Sequence, residues 1–340
     1  MQPLVSILIP AYNAQSWIAD AIRSALDQTW PHTEIIVVND GSTDRTLAVA
    51  QRFVSRGVTL VSQRNQGAAA ARNLALSLSG GDYIQWLDAD DLLERDKIAK
   101  QMAEVERCRS TRILLSSEWA RFWYRTSRAR FAPTGLWCDL TPVEWLRRKL
   151  ALNLHMQTAT WLVSRALTDA AGPWDPCLRI DDDGEYFCRV LLCCDCVKFV
   201  PGSRVFYRDV GPTSLSYIRR SGEKLDDQFR SIRLHIAYLR GLDDGGDTRA
   251  ACVRYLQTWC PEFYPERPDL LEQAECLAVE LGGHLATPRL SWKYAWIQAL
   301  SGSPQYAKRA QTRLREFKWS LVRRLDRALC RARDLSSHLQ

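Results

Sequence analysis

The 340-residue sequence predicts an α/β fold, a mostly parallel central sheet with helices on both faces, followed by a mainly helical C-terminal region. Two observations carry that reading. Strand-like apolar runs alternate with helical periodicity from residue 5 to residue 107, the order that builds a parallel sheet. Beyond about Gly211 the strand signals stop and helical patterns continue, broken at 241–247, 261–268, 282–288 and 301–304. A 46% hydrophobic composition supplies a sizeable core. No window approaches the ~18 consecutive apolar residues of a membrane span. The start, Met-Gln-Pro-Leu-Val, lacks a secretory pattern. Eleven cysteines without framework spacing fit a reducing cytosol.

Each element has its own signal. Residues 5–9 form a buried strand ending at Pro10. Ile18, Ala21, Ile22, Ala25 and Leu26 repeat at helical spacing. Residues 34–38 give a second strand. The turn chemistry of Asn39, Asp40, Gly41 and Ser42 leads into a helix over 43–53. A third strand spans 58–62, an Ala-rich helix 67–78, a fourth strand 83–87 and a helix 95–107. Strands are expected within 113–124. Thr141, Pro142 and Glu144 match a capping box opening a helix to about Leu150. Then come a strand over 158–163, a helix over 165–171 stopped by Gly172 and Pro173, a helix from 182 to 193, and short strands at 197–200 and 205–207.

In such sheets ligands bind beyond the carboxyl ends of the strands, where strand order reverses. Residues 10–13, 39–44 and 88–91 all lie at such ends and should converge on one crevice. Residues 84–91 read Ile-Gln-Trp-Leu-Asp-Ala-Asp-Asp, so Asp88, Asp90 and Asp91 follow an apolar strand at once. Mutual repulsion disfavours such a trio unless a cation offsets it, and Mg²⁺ or Mn²⁺ prefers oxygen ligands with a substrate diphosphate. A solvated turn with an acidic helix start accounts for the trio equally well.

Several ordered segments together resemble a family-2 glycosyltransferase of the GT-A fold. Residues 5–13 are similar to its first strand and nucleotide loop, 37–44 to its base-reading loop, and 65–73 to the helix flanking the diphosphate. Residues 87–91 resemble the DxD element, and 182–189 the later acidic motif. The resemblance covers roughly residues 4–216. It implies inverting transfer of one sugar from a nucleotide-sugar donor, with a UDP-sugar favoured, to an acceptor hydroxyl in cell-surface glycan or polysaccharide synthesis. By position it implies that Pro10, Tyr12, Asn13 and Asp40 hold the nucleobase end. Gly67 and Arg72 would approach the nucleotide, and Asp88 the ribose or sugar. Asp90 would take Mg²⁺ or Mn²⁺, with Asp91 behind it, and Asp183 would be the base, with Asp182 where the family usually has Glu. Relatives often carry a further His in the loop after the last core strand; residues 207–216 here contain none. The Gln-x-x-Arg-Trp signature of processive polymerases is absent, which favours transfer of a single sugar.

The same resemblance divides the chain into a catalytic domain, 1–216, and a helical extension, 217–340. The catalytic part would have a donor half to about 117 and an acceptor half to about 216. Basic character is local: residues 308–333 hold ten Lys or Arg against Glu316 and Asp326, whereas the rest is near neutral. Ala310, Leu314, Phe317, Leu321, Leu325 and Leu329 recur at helical spacing, predicting a basic amphipathic helix over about 305–333. Such a helix either packs its apolar stripe on the enzyme or lies on an anionic membrane surface. The expected partners are the donor, a glycan or lipid-linked acceptor and that membrane surface, with no nucleic acid. The expected location is cytoplasmic and peripheral to the membrane. A sugar nucleotidyltransferase would carry a Gly-rich basic loop after strand one, which is absent. The remaining alternative is an inactive scaffold serving as a sugar- or membrane-binding module. Cys188, Cys193, Cys194 and Cys196 lack a second ligand pair and read as core residues. Trp174 reads as packing or as acceptor-pocket lining, and His155 as structural.

Overall fold

Val5, Ile7, Leu8 and Ile9 are all fully buried, which requires helices on both faces of the strand that carries them. The computed structural model describes residues 2–108, 110–211 and 222–288, with 314, 317, 319–320 and 322–330. The N-terminal elements are β1 (Val5–Ala11), α1 (Ile18–Leu26), β2 (Thr33–Asp40), α2 (Thr46–Gln51), β3 (Val58–Gln63), α3 (Ala68–Ser77) and β4 (Tyr83–Trp86). There follow β5 (Leu92–Leu93), α4 (Lys97–Cys108), β6 (Ile113–Phe122), α5 (Pro142–Leu152), β7 (Val163–Ser164), α6 (Arg165–Ala171), α7 (Asp182–Cys193) and β8 (Cys196–Arg208).

The main sheet has the order β3-β2-β1-β4-β7, parallel except for β7. The chain builds outward from β1 to β2 and β3, then returns to place β4 on the other side. The switch point is therefore the crevice beyond the ends of β1 and β4, where ligands bind in such sheets. A second sheet, β5-β8-β6, pairs Leu92 with Phe206. That pairing carries Arg208, at the end of β8, to the acidic turn before β5.

The expected elements form with few differences. The capping box at Thr141 is complete: its hydroxyl accepts from Glu144 N and the Glu144 carboxylate accepts from Thr141 N. Gly172 ends α6 at φ 77°. Three expectations need correction. Residues 158–163 are not one strand: Thr158–Thr160 form a short 3-10 turn, capped by the Gln157 side chain, and of that span only Val163 lies in β7. The short strands at 197–200 and 205–207 are one long β8, which absorbs Pro201 and Gly202 at a register shift opposite Ser117 and Glu118. The break expected at 261–268 is present but begins later: Pro261 lies in the last turn of a helix that ends at Phe263, and the next helix begins at Pro268.

The helices α8 (Gly222–Leu242), α9 (Gly246–Phe263) and α10 (Pro268–Glu280) complete the core instead of standing apart. One buried apolar cluster runs from Leu8 and Trp86 through Trp174 and Tyr186 to Phe229, Tyr255 and Leu281. The expected boundary near 216 and much of the predicted 305–333 helix lie outside the described residues; within the latter, 322–330 is helical. All eleven cysteines are free thiols. No helix among the described residues is long and apolar enough to cross a membrane.

Candidate active site

Asp88 and Asp182, 94 positions apart, grip the same side chain. Arg72 Nη2 donates to Asp88 Oδ1 at 2.8 Å, and Nη1 donates to Asp182 Oδ2 at 2.6 Å. The guanidinium lies over the Trp174 ring, 4.3 Å from its centroid. Trp174 is fully buried and stacked on Tyr186 at 4.1 Å, so it supports Arg72 from below and lines no pocket. Burial works against the Arg72 charge, but Asp182 and Asp88 outweigh it and raise its pKa. Burial pushes the Asp182 carboxyl up to about 6 despite Arg72. The two acid clusters are thus joined through Arg72, which lies between them.

The start of α7 is tightly specified. Asp181 precedes it in the left-handed region, φ 57°, and Ser231 of α8 donates to its carboxylate at 2.6 Å. A Cβ on Gly184 would lie 2.2 Å from Asp181 Oδ1, so a larger residue there would have to displace the Asp181 carboxylate from Ser231. Asp182 therefore points to Arg72. Asp183 accepts from Thr158 Oγ1 at 3.0 Å and lines a small cavity with Lys149, His155 and Trp161. His155 is exposed and packs edge-on against Trp119 at 5.4 Å.

The acidic turn after β4 splits into two jobs. Asp91 is fully buried and faces inward: Oδ1 accepts from Arg208 N at 2.8 Å and Oδ2 from Gln157 Nε2. Both oxygens of Asp91 are thus taken by protein donors, which leaves Asp90 as the carboxylate free to meet a metal. Burial and Asp88 push the Asp90 carboxyl up to about 7, so a nearby cation would favour its ionised form. Among the described residues no group of three or more His, Cys, Asp or Glu side chains is arranged to hold a metal. A hard cation held by one or two carboxylates and completed by substrate oxygens fits this donor set; an all-protein cage does not. Arg208 ends β8 where the loop expected to carry a ligating His begins. Its side chain is spent on Asp90 O, Trp123 O and Asp20, and it lies over Trp17 and Phe122.

The remaining predicted residues gather at the ends of β1 and β2. Asn13, at φ 48°, accepts from Thr43 N at 2.9 Å and so ties the two loops together. Asp40 is buried and accepts from Gln63, Gln66 N and Gly67 N at 2.7–2.9 Å. That fixes the entry to α3, where Gly67 takes φ 92°. A carboxylate has about four acceptor sites, so one remains on Asp40. Tyr12 is exposed, and Pro10 is half-buried beside it. Gln157, Thr158, Ser231 and Arg208 escaped the sequence reading. Only the absence of a His from residues 207–216 drew attention to the region of any of them.

Residues 6–150 match the model for glycosyl transferase family 2. That match covers 145 of the 340 residues, less than half of the chain. The chain is 43% identical over 104 residues to the putative teichuronic acid biosynthesis glycosyltransferase TuaG of Bacillus subtilis, covering 30% of this chain and 41% of TuaG. It is 45% identical over 98 residues to an Escherichia coli chondroitin synthase, or 28% of this chain and 14% of that protein. The match spans about two fifths of TuaG and far less of the synthase. Among solved structures, Staphylococcus aureus TarS 1–349 in complex with UDP-GlcNAc aligns with a TM-score of 0.65 at 17% identity, covering 82% of this chain and 81% of that one. At that identity the likeness shows the fold alone, a GT-A-like α/β unit shared over about four fifths of each chain.

Proposed function

We propose that the chain transfers one sugar from a UDP-sugar to an acceptor hydroxyl, inverting the anomeric centre, in the synthesis of a cell-surface polysaccharide. The observation that supports this is the Arg72 bridge, which joins the acid turn after β4 to the acid pair opening α7. TuaG and the chondroitin synthase bear on the pathway class, and the TarS complex bears on the choice of UDP.

The roles follow from the chemistry. Pro10, Tyr12, Asn13 and Asp40 frame the nucleobase end, with the free acceptor site of Asp40 suited to a uracil N3–H. Gly67 lets the diphosphate approach the backbone at the start of α3. Asp88 faces the ribose or the sugar. Asp90 would hold Mg²⁺ or Mn²⁺ together with the diphosphate, and the ion would stabilise charge growing on the leaving group. Asp183, oriented by Thr158, takes the proton from the acceptor hydroxyl as it attacks the anomeric carbon. Asp182 stays paired with Arg72 and positions that base. Lys149, His155 and Trp161, which share the cavity of Asp183, face the incoming acceptor.

Replacing Asp183 with Asn tests the assignment. Turnover of UDP-sugar should fall roughly 10²–10⁴-fold, the usual contribution of a general base, with donor affinity kept. Unchanged donor hydrolysis and transfer in Asp183→Asn would remove the base from this position. A wild-type chain that binds donor but never turns it over would favour the inactive scaffold.

A further inference from the structure

The C-terminal helix is amphipathic the wrong way round for a helix packed on a protein. Its polar positions face inward. Asp326 is buried, pairs with Arg125 at 2.6 Å and accepts from Tyr124 N at 3.1 Å. Arg323 Nη1 donates to Val210 O at 2.7 Å, and the Arg327 guanidinium lies 5.8 Å from the Tyr124 ring centroid. Trp319 packs against Trp123 at 5.8 Å. These residues share one helical face, and that face is latched to the α/β unit.

The opposite face is apolar and open. Leu314, Phe317, Val322, Leu325 and Leu329 are all exposed, Phe317 by 70% and Leu325 by 63%. With Trp319, the segment holds six of the thirteen exposed large apolar side chains among the described residues. Apolar side chains crowded on one open face signal a missing partner. The charge pattern says which kind. Residues 308–333 carry ten basic and two acidic side chains, and of those two Asp326 is buried in the latch. Arg324 and Arg327 are exposed. An exposed apolar stripe on a segment this basic, with Arg324 exposed as well, suits the boundary between headgroups and acyl chains of an anionic bilayer, whereas a second copy of the same net-positive helix would repel.

We propose that this helix docks the protein on anionic lipid, its apolar face in the bilayer surface and its polar face latched through Asp326. The latch lies beside the catalytic crevice: Tyr124 packs against Trp17 at 5.5 Å, and Arg208, which donates to Asp90 O, lies over Trp17. The crevice mouth and the membrane surface are therefore neighbours. This inference stands independently of the proposed transfer reaction.

Co-sedimentation of the full chain with two kinds of vesicle tests it: phosphatidylcholine alone, and phosphatidylcholine with about one third phosphatidylglycerol. Each basic side chain near an anionic surface strengthens binding about fivefold, so wild-type protein should prefer the anionic vesicles at least tenfold. High salt should erase that preference. Leu325→Asp with Leu329→Asp should weaken binding at least tenfold, with the melting curve and vesicle-free donor hydrolysis unchanged. Arg324→Glu, which leaves the apolar face alone, should weaken binding to anionic vesicles about tenfold and spare the phosphatidylcholine control. Equal sedimentation of wild type and both variants overturns the proposal. So does a wild-type dimer, seen by light scattering, that Leu325→Asp with Leu329→Asp dissociates, since a second copy would then be the occupant.

Discussion

Removing the Arg72 guanidinium should unbalance both acid clusters at once. In Arg72→Met the long apolar stem over Trp174 is kept, but Asp88 and Asp182 lose their shared cation. Breaking a buried ion pair from one side costs about 3–5 kcal/mol, because the remaining charge has no counterpart. The loss of the cation–π contact adds about 1 kcal/mol. Protonation limits the damage. Asp182 already sits at about 6 with Arg72 present, and without it the carboxyl moves higher. A carboxyl whose folded pKa exceeds its unfolded value of about 3.9 favours the folded state more as pH falls. The deficit of Arg72→Met should therefore be largest near pH 8, about 3–5 kcal/mol, and shrink by at least about 1 kcal/mol at pH 5. Urea unfolding of both proteins at the two pH values measures it. Arg72→Lys should recover part of the deficit, since one ammonium cannot serve two carboxylates as a planar fork does. A deficit below about 1 kcal/mol, or one that ignores pH, would refute Arg72 as the charge that joins the clusters.

Two further outcomes follow from the acidic turn. Gln157→Leu strips the donor from Asp91 Oδ2 inside the core, and the unsatisfied carboxylate should cost about 1–3 kcal/mol of stability by denaturant titration; a neutral result would show that Asp91 does not need that partner. Asp90→Ala should abolish the strengthening of UDP-sugar binding by Mn²⁺ in calorimetry while leaving metal-free binding intact; equal affinities with and without Mn²⁺ in wild type would remove the metal from the site.

Much of this was legible in the chain itself. The alternation of buried strands and helical stripes up to residue 107 depends on local periodicity, so β1 to α4 form close to where that periodicity ends. The capping box at Thr141 and the stop at Gly172 are likewise local. The errors fell where local signals conflict with the tertiary setting. The apolar run after Gln157 reads as a strand, but Gln157 turns its carbonyl oxygen back onto Ala159 N and reaches Asp91, which bends the chain into a 3-10 turn. Pro201 and Gly202 look like a strand break, yet the register shift against β6 lets β8 run through them.

The ordered acidic motifs fixed the fold and the list of candidate site residues, because each is a short run whose chemistry is set by its neighbours in sequence. Their division of labour was a matter of the third dimension. Asp90 and Asp91 are adjacent in sequence, but only the pairing of β5 with β8 brings Arg208 under Asp91 and buries it. Asp182 and Asp183 are equally alike until α3 delivers Arg72 to one and the 158–160 turn delivers Thr158 to the other. The C-terminal helix makes the same point: its periodicity announces two faces, but which face meets the protein is decided by the buried Asp326, since a charge removed from water goes where a partner waits.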